Sequence, residues 1–403
     1  DMLYPPGKSA RIPIISVTGT NGKTTTTRLI AHIVKSNGTR VGYTTSDGIY
    51  VQNTMLMKGD TTGPVSAEFI LRDPTVEFAV LETARGGILR AGLGFNKCDI
   101  GVVTNIQEDH LGIADIHSLE DLSRVKSVIV GSIMRTGWAV LNADNKYCLN
   151  IASSAHCQIA YFSMDENNPA IVDHCKKGGT AAIYENGYIT IKKGDWKIRV
   201  DKVTHVPLTF GGSVEFMIQN VLAATLATFL CGYKTEDIRM SLETFIPSAA
   251  QTPGRMNTFK FKEFTILVDF AHNPDGFNGI KDYLKTIEAT EHVGVISATG
   301  DRREEDIKET ARIAARMFDR IIICQEKYLR GRNQQDLIDI LLAGIYEIKP
   351  DMEVIINNSG DKTLQYLIAT AKPGGYYSIL SDTIDGAIVK VTEYLDKEYG
   401  IYK

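Results

Sequence analysis

A glycine-rich segment near the start of the chain has the residue types that bind phosphate. It lies between an apolar run and a segment with helical periodicity, and it reads Gly19-Thr20-Asn21-Gly22-Lys23-Thr24-Thr25. Glycines let backbone N–H groups approach phosphate oxygens, and a helix N-terminus adds a favourable dipole. The Lys23 ammonium can reach the terminal phosphates, and the Thr24 hydroxyl can bind Mg²⁺. We therefore predict a Mg·ATP site here, with a purely structural turn as the alternative.

Two polar side chains stand where predicted strands end. Glu82 follows the apolar run Val76–Leu81, and His110 follows the run Ile100–Ile106. Ligands of open α/β sheets bind at the carboxyl ends of the strands. Glu82 is predicted to hold Mg²⁺ together with Thr24, and His110 is predicted to hold a second Mg²⁺. The alternatives are a polar strand terminus and a packed histidine.

The elements around these residues alternate between strands and helices. Ile12–Val17 is a short β-branched run, and Thr25–Ser36 carries apolar residues on one helical face. The alternation continues with a helix over Leu119–Met134, a strand over Ala139–Leu141 and a helix over Phe216–Cys231. This order predicts an α/β fold with a doubly wound, mainly parallel sheet.

Two changes of pattern divide the chain. From about residue 155 to about 212, short runs separated by Asn186-Gly187 and Lys193-Gly194-Asp195 predict a small antiparallel insertion. Pro253-Gly254 marks a hinge, and strands alternate with helices again beyond it. We predict a linker over 1–11, an ATP-binding domain over 12–248 and a C-terminal Rossmann-like α/β domain over 249–403.

Composition narrows the class of protein. Of 403 residues, 43% are hydrophobic and 23% charged, and the net charge of −4 argues against a dedicated nucleic-acid binder. No run of the sequence approaches the ~20 apolar residues that span a bilayer. Six scattered cysteines without a CxxC pair indicate reduced thiols and a cytoplasmic protein. The chain starts at Asp1 instead of a methionine, so we expect a segment of a longer protein.

Four segments together resemble the signatures of the Mur ligase superfamily, which includes the peptidoglycan amino-acid ligases and folylpolyglutamate synthase. They are Gly19–Thr24, Asp109-His110, Gln251-Thr252-Pro253-Gly254-Arg255 and Asp269-Phe270-Ala271-His272-Asn273-Pro274. The resemblance implies that ATP converts a carboxylate into an acyl phosphate, which an amine then attacks to form an amide bond. ATP and Mg²⁺ are the expected cofactors.

Further segments are closer to the C-terminal half of one group within that superfamily, the cyanophycin synthetases. They include Gly59–Pro64, Leu81–Arg90, Tyr184–Tyr188 and Gly300–Arg303. The resemblance implies that arginine is the incoming amine and that the acceptors are aspartate side chains of a poly-aspartate chain. A separate ATP-grasp half would add the aspartates. We expect an amino acid and an acidic peptide as partners, a homo-oligomer, and neither nucleic acid nor membrane.

The family pattern also assigns roles to single residues. It implies nucleotide contacts for Asn220, Arg255, Asp269, His272, Asn273 and Arg302. For Arg255, a salt bridge at the hinge is the alternative. Lys126 matches a family lysine that is carbamylated and then acts as an anionic metal partner, whereas a plain helix-surface lysine is the alternative. The expected catalytic residues are Lys23, His110, Lys126 and Arg302.

Acceptor binding is assigned to basic and polar residues. Arg85 and Arg90 flank a Gly-Gly pair, and Asp60 and Thr61 lie in a loop with a glycine. Arginines near the site suit a polyanionic acceptor, while arginines paired to neighbouring carboxylates are the alternative. Arg330 matches the first residue of an Arg-Gly-Arg signature in the cyanophycin synthetases.

The segment before Arg330 departs from that group. The cyanophycin synthetases carry an acidic stretch there, whereas residues 324–329 include one acid and an extra lysine. Binding a guanidinium without paired carboxylates is costly. The alternatives to an arginine-adding enzyme are a folylpolyglutamate- or peptidoglycan-type ligase and a non-catalytic ATP-binding domain.

Overall fold

The chain forms two compact units, each built around a sheet of its own. The computed structural model describes residues 11–109, 111–112, 116–325, 329–381 and 384–400. The first unit comprises the chain up to Glu108 together with Ser118–Ile246. The second comprises Asp109–His117 and the chain from Pro247 onward.

In the described part of the first unit, eleven strands form one sheet. The strands are β1 (Ile14–Thr18), β2 (Val41–Thr44), β3 (Gly48–Val51), β4 (Thr54–Lys58), β5 (Phe78–Glu82), β6 (Cys98–Val103), β7 (Ile133–Asn142), β8 (Gln158–Ser163), β9 (Thr180–Glu185), β10 (Tyr188–Lys193) and β11 (Trp196–Lys202). The helices are α1 (Lys23–Ser36), α2 (Pro64–Arg72), α3 (Arg85–Ala91), α4 (Leu119–Gly131), α5 (Lys146–Ala152), α6 (Pro169–Lys176), α7 (Glu215–Leu230) and α8 (Thr235–Thr244).

The strand order in this sheet is β11-β10-β9-β8-β7-β6-β1-β5-β2-β3-β4. The strands from β9 to β2 in that order run parallel, and the two strands at each end add antiparallel edges. β1 lies between β5 and β6, with Val17 beside Glu82 on one side and beside Val102 on the other. The predicted α/β class with a mainly parallel, doubly wound sheet is confirmed.

The centre of the sheet is covered on its faces by helices. β1 is buried along its whole length, as its run of β-branched residues predicts. α7 packs against α1, β8 and β9, and its apolar residues lie on all sides because it is covered all round. Strands and helices thus fix the loop between β1 and α1 from several directions.

The predicted hairpins are present and extend the main sheet. Asn186 and Gly187 join β9 to β10 with φ values of 50° and 82°, as a tight hairpin turn requires. The sequence did not predict β2, β3 and β4, which are short strands. β4 is one of the two edge strands of the sheet, and all of its residues are exposed.

The second unit is a smaller α/β sheet. Its strands are β12 (Asn257–Lys260), β13 (Thr265–Asp269), β14 (His292–Ile296), β15 (Arg320–Ile323), β16 (Glu353–Ile356) and β17 (Tyr376–Leu380). Its helices are α9 (Pro274–Leu284), α10 (Glu304–Met317), α11 (Gln334–Ile348), α12 (Gly360–Ala369) and α13 (Ile384–Tyr399). The strand order is β12-β13-β17-β14-β15-β16, and only β12 pairs antiparallel among the described strands.

Among the described helices, none is both long enough and apolar enough to cross a membrane.

Candidate active site

The glycine-rich segment forms a tight loop between β1 and α1. Gly19 has a φ of 148° and Gly22, directly before the helix, a φ of 83°. A Cβ on Gly19 would lie 1.8 Å from Oγ1 of Thr104, and one on Gly22 would lie 2.2 Å from Oδ1 of Asn220. Both the backbone conformation and the crowding therefore require glycine at these two positions.

The loop is held from the neighbouring strand β6. Oδ1 of Asn105 accepts hydrogen bonds from the backbone N–H groups of Thr20 (3.2 Å) and Asn21 (2.9 Å). Oγ1 of Thr104 donates to the Asn21 carbonyl at 2.6 Å. The sequence did not single out Thr104 and Asn105, although their position directly after a strand is the signal that could have found them.

Two lysines bring positive charge to this loop. Nζ of Lys23 donates to the carbonyl of Thr20 at 2.8 Å, so the side chain folds back over its own loop. Lys126 lies on α4 and is only 3% exposed. Its Nζ donates to the Gly19 carbonyl at 2.7 Å. Lys126 is therefore a buried residue at the loop and not a helix-surface lysine.

Three oxygen-bearing side chains converge at the start of α1. Oγ1 of Thr24 lies 3.1 Å from Oγ of Ser46, and the Ser46 backbone N–H donates to Oε2 of Glu82 at 3.1 Å. Thr24 and Glu82 are both buried. Hydroxyl and carboxylate oxygens are the ligands that Mg²⁺ prefers, so this set fits the predicted metal. Ser46 was missed because it lies in the turn between β2 and β3, which the sequence did not predict.

A buried cation fixes the turn that carries Ser46. Arg28 on α1 forms an ion pair with Asp47, and its guanidinium lies over the Tyr50 ring, 4.6 Å from the centroid. Oδ1 of Asp47 also accepts a hydrogen bond from Oγ1 of Thr45 at 2.8 Å. Because Asp47 follows Ser46 directly, these contacts set the distance between Ser46 and Thr24.

Asn220 is placed at the loop by α7. It is buried, and its Oδ1 accepts a hydrogen bond of 3.4 Å from Oγ1 of Thr26. The same oxygen lies closest to the position that a Cβ on Gly22 would occupy. The structure thus brings Gly19–Thr25, Glu82, Lys126 and Asn220 together within the first unit.

The expected acceptor residues of the first unit lie in the loop after β4 and on α3. Oγ1 and N of Thr61 both donate to the Thr45 carbonyl, at 2.7 Å and 3.1 Å. Oδ1 of Asp60 accepts hydrogen bonds from N and Oγ1 of Thr62, which closes a local turn. Arg85 is half-buried at the first turn of α3, and Arg90 is exposed in its last turn.

In the second unit, Asp269 holds the backbone on both sides of it in the sheet. It is buried at the end of β13, and its two oxygens accept backbone hydrogen bonds from Met256 (2.7 Å) and Ala271 (2.8 Å). Burial raises the pKa of Asp269 above its ordinary value, and nearby Arg255 opposes that rise. The Arg255 guanidinium lies over the Phe270 ring, 4.5 Å from the centroid.

His272 and Asn273 lie between β13 and α9. Nδ1 of His272 donates to the Phe270 carbonyl at 2.7 Å. Oδ1 of Asn273 accepts from the Gly276 backbone at 2.8 Å, so Asn273 is the N-cap of α9. This cap is a structural role that the family pattern did not assign.

A buried arginine precedes α10. Arg302 forms an ion pair with Asp109, with Nη1 and Oδ1 2.8 Å apart, and both side chains are largely buried. Among the described residues, Nε of Arg302 has no hydrogen-bond partner. A buried guanidinium with an unused N–H group suits an anion. Asp301, which precedes Arg302, forms an ion pair with Arg330, with Oδ2 and Nη1 2.6 Å apart.

Two sequence predictions concern residues outside the described part of the chain. His110 is one, and half of the segment 324–329 is the other, because 326–328 are not described. The described Gln325 is fully buried and exchanges two hydrogen bonds of 2.8 Å with the backbone of Ala298.

Family models match both units. The model of the Mur ligase middle domain matches residues 17–228, more than half of the 403 residues. The chain belongs to the Mur ligase family. The model of the Mur ligase glutamate ligase domain matches residues 254–381 of this Mur ligase.

Curated relatives of this Mur ligase include longer proteins. A cyanophycin synthetase of Geminocystis herdmanii (strain PCC 6308) is 46% identical over 394 residues, and one of Synechocystis sp. (strain ATCC 27184 / PCC 6803 / Kazusa) is 49% identical over 370. These matches cover 98% and 90% of this chain but 45% and 42% of the relatives. The chain therefore spans about half the length of these relatives. A UDP-N-acetylmuramoyl-L-alanyl-D-glutamate--2,6-diaminopimelate ligase of Phocaeicola vulgatus is 26% identical over 357 residues, 87% of this chain and 68% of that protein.

Solved structures share the fold of this Mur ligase. E. coli FolC in complex with ADP superposes with a TM-score of 0.68 at 16% identity, covering 97% of this chain and 91% of that one. A bifunctional folylpolyglutamate synthase/dihydrofolate synthase with Mn, AMPPNP and L-glutamate bound superposes with a TM-score of 0.68 at 17% identity. The match covers 95% of this chain and 90% of that one. At these identities the likeness concerns the fold.

Proposed function

We propose that this Mur ligase uses ATP to form an amide bond, activating an acceptor carboxylate as an acyl phosphate and coupling an amino acid to it. The substrates we propose are arginine and the aspartate side chains of a poly-aspartate chain. The observation that carries the proposal is the convergence of Thr24, Ser46 and Glu82 beside the loop that ends in Lys23. An oxygen donor set next to a phosphate-binding loop suits Mg·ATP.

In the first step, a carboxylate oxygen of the acceptor attacks the γ-phosphorus of ATP. A new P–O bond forms, the bond from the γ-phosphorus to its bridging oxygen breaks, and ADP leaves. Lys23 and Arg302 neutralise charge on the phosphate oxygens, where negative charge is dense. Thr24 and Glu82, joined by Ser46, would hold Mg²⁺, which when bound supplies further positive charge to the phosphates.

In the second step, the amine nitrogen of the amino acid attacks the acyl carbon. The C–N bond forms, the C–O bond to phosphate breaks, and the departing phosphate takes up the proton that the nitrogen gives up. From the family resemblance we assign His110 to a second Mg²⁺, which when bound would offset the charge of the acceptor carboxylate. Carbamylated Lys126 would add an anion there, and its Nζ lies at the phosphate loop, 2.7 Å from the Gly19 carbonyl oxygen. ¹³C NMR with labelled bicarbonate tests this, and no new carbonyl signal relative to Lys126→Ala would remove the modification.

The same proposal assigns the remaining residues to binding of the nucleotide or of the acceptor. Asn220 lies against the loop, and Arg255, Asp269, His272 and Asn273 are assigned to the nucleotide from the second unit. Arg85 and Arg90 supply positive charge for an acidic acceptor, with Asp60, Thr61 and Arg330 as further substrate residues.

Arginine as the amine rests on the relatives. The cyanophycin synthetases are 46% and 49% identical to this chain, compared with 26% for the peptidoglycan ligase. That difference favours the first group over a peptidoglycan- or folate-type substrate.

The test is ADP release by the purified chain with Mg·ATP, poly-aspartate and each amino acid in turn. Release that requires both arginine and poly-aspartate is the expected result, and Lys23→Ala is expected to abolish it. Release with folate and glutamate, or with a UDP-linked peptide, would replace the proposed substrates. Binding of ATP without turnover under any of these conditions would overturn the catalytic proposal in favour of a non-catalytic ATP-binding domain.

A further inference from the structure

A second group of metal-binding side chains lies at the far edge of the first unit's sheet. Asp201 is near the end of β11, His205 ends the short 3₁₀ turn that follows, and Glu243 lies in the last turn of α8. One potential ligand atom of each residue lies within 4.8 Å of those of the other two. None of these residues takes part in the phosphate-loop site.

The buried member of this group has an unused oxygen. Asp201 is only 7% exposed, and its Oδ1 accepts from the Lys202 backbone at 2.7 Å and from Nδ1 of His205 at 2.9 Å. Its Oδ2 has no hydrogen-bond partner among the described residues. A buried carboxylate oxygen without a partner is unfavourable, so its presence in a packed structure points to a bound species.

The surrounding geometry is fixed on one side and adjustable on the other. The backbone N–H of Val203 donates to the Gly187 carbonyl at 2.9 Å, which holds the turn after β11. His205 and Glu243 are exposed, so their side chains can move the short distance needed to bind an ion. Arg239 pairs with Oε1 of Glu243 at 2.9 Å and is the cation that competes for this carboxylate.

We propose that Asp201, His205 and Glu243 form a Zn²⁺ site that ties the end of β11 to α8. One imidazole and two carboxylates are a donor set that zinc accepts in a four-coordinate site, with water as the fourth ligand. The imidazole distinguishes this site from the oxygen-only set of Thr24, Ser46 and Glu82, which suits Mg²⁺. The site therefore selects a different metal from the nucleotide site of the same unit.

The experiment is calorimetric titration of the full chain with Zn²⁺ in excess Mg²⁺, which occupies oxygen-only sites. The expected result is one equivalent of Zn²⁺ per chain. His205→Ala should weaken binding more than about 100-fold, beyond the effect of losing a second-shell partner. His156→Ala, which removes an exposed imidazole elsewhere, should bind like the parent.

Two further measurements keep the proposal open to refutation. Glu243→Gln changes an exposed helix residue and should weaken Zn²⁺ binding without unfolding the chain, which circular dichroism checks. Co²⁺ substitution should give a visible absorption spectrum that disappears in Glu243→Gln. A parent chain that takes up no stoichiometric Zn²⁺, or variants that bind it as tightly as the parent, would overturn the site.

Discussion

Ser46 joins the hydroxyl of Thr24 to the carboxylate of Glu82. Because its own hydroxyl lies beside the proposed Mg²⁺ position, Ser46→Ala should reduce the affinity for Mg·ATP by about tenfold, the lower end of what losing a partner of a metal site costs. Calorimetry at low and high Mg²⁺ measures this, and high Mg²⁺ should restore part of the affinity. Ser153→Ala, at an exposed helix end, is the matched control. Equal affinities for Ser46→Ala and the parent would remove Ser46 from the site.

Gly22 and Gly38 form a matched pair of glycines at the two ends of α1. Their φ values are 83° and 85°, but a Cβ on Gly22 would lie 2.2 Å from Oδ1 of Asn220, whereas one on Gly38 would have no atom within 4 Å. Gly38→Ala should therefore lose only about 1 kcal/mol of unfolding free energy, from the left-handed backbone. Gly22→Ala should lose more and should also stop binding ATP. Urea unfolding and ATP titration of both variants give the comparison, and similar losses in the two would contradict the crowding at Gly22.

At the scale of elements, His32 joins α1 to the end of α8. Its Nε2 lies 3.0 Å from Oγ1 of Thr244, and its ring packs edge-on against Phe245. Burial, assisted by the charge of Lys35, lowers the pKa of His32 to about 4 from an ordinary 6.5.

The direction of the pH effect follows from this lowered pKa. Between pH 6.5 and about 4 the unfolded chain binds a proton at His32 that the folded chain does not. The stabilisation from neutral His32 is thus complete above pH 6.5 and is lost as the pH falls towards 4, by at most about 1.4 kcal/mol per pH unit. His32→Gln should lose less stability than the parent in this window, as measured by urea unfolding. His156→Gln should behave like the parent, and parallel curves for His32→Gln and the parent would contradict the prediction.

The elements differ in how far the sequence predicted them. β1 and α1 were predictable because a β-branched run, a glycine loop and a helical face follow each other within one short segment. β2 and β3 were not, since each has four residues, and β2 joins the sheet through β5, which is distant along the chain. Ser46 lies between these two strands, and its role as a metal neighbour was therefore hidden with them.

Contacts between segments that are distant along the chain also limited how much of the candidate site the sequence could predict. Glu82 was predictable because it ends an apolar strand, but Asn105 binds the loop only because β6 lies next to β1 in the sheet. Likewise, the burial of Lys126 follows from the packing of α4 against the sheet, which no local pattern reports.

At the scale of the whole molecule, bound nucleotide should stabilise the first unit. A ligand that binds only the folded state adds about 2.7 kcal/mol at a free concentration 100 times its Kd. Hydrogen exchange should slow in β1, α1 and the turn that carries Ser46 when Mg·ATP is added. Lys23→Ala should show no such slowing, while protection of its core strands without ATP should match the parent. Slowing in Lys23→Ala equal to that in the parent would place ATP elsewhere.

The contact between α7 and α1, next to the phosphate loop, has a consequence for synthesis on the ribosome. Thr26 and Asn220 are hydrogen-bonded although 194 positions separate them. At about 5–20 residues per second, the ribosome takes tens of seconds to make that stretch. During that time the emerging chain carries its glycine turn without the asparagine that supports it. A nascent chain arrested before α7 has left the exit tunnel should therefore fail to retain nucleotide, even with its first strand and helix complete.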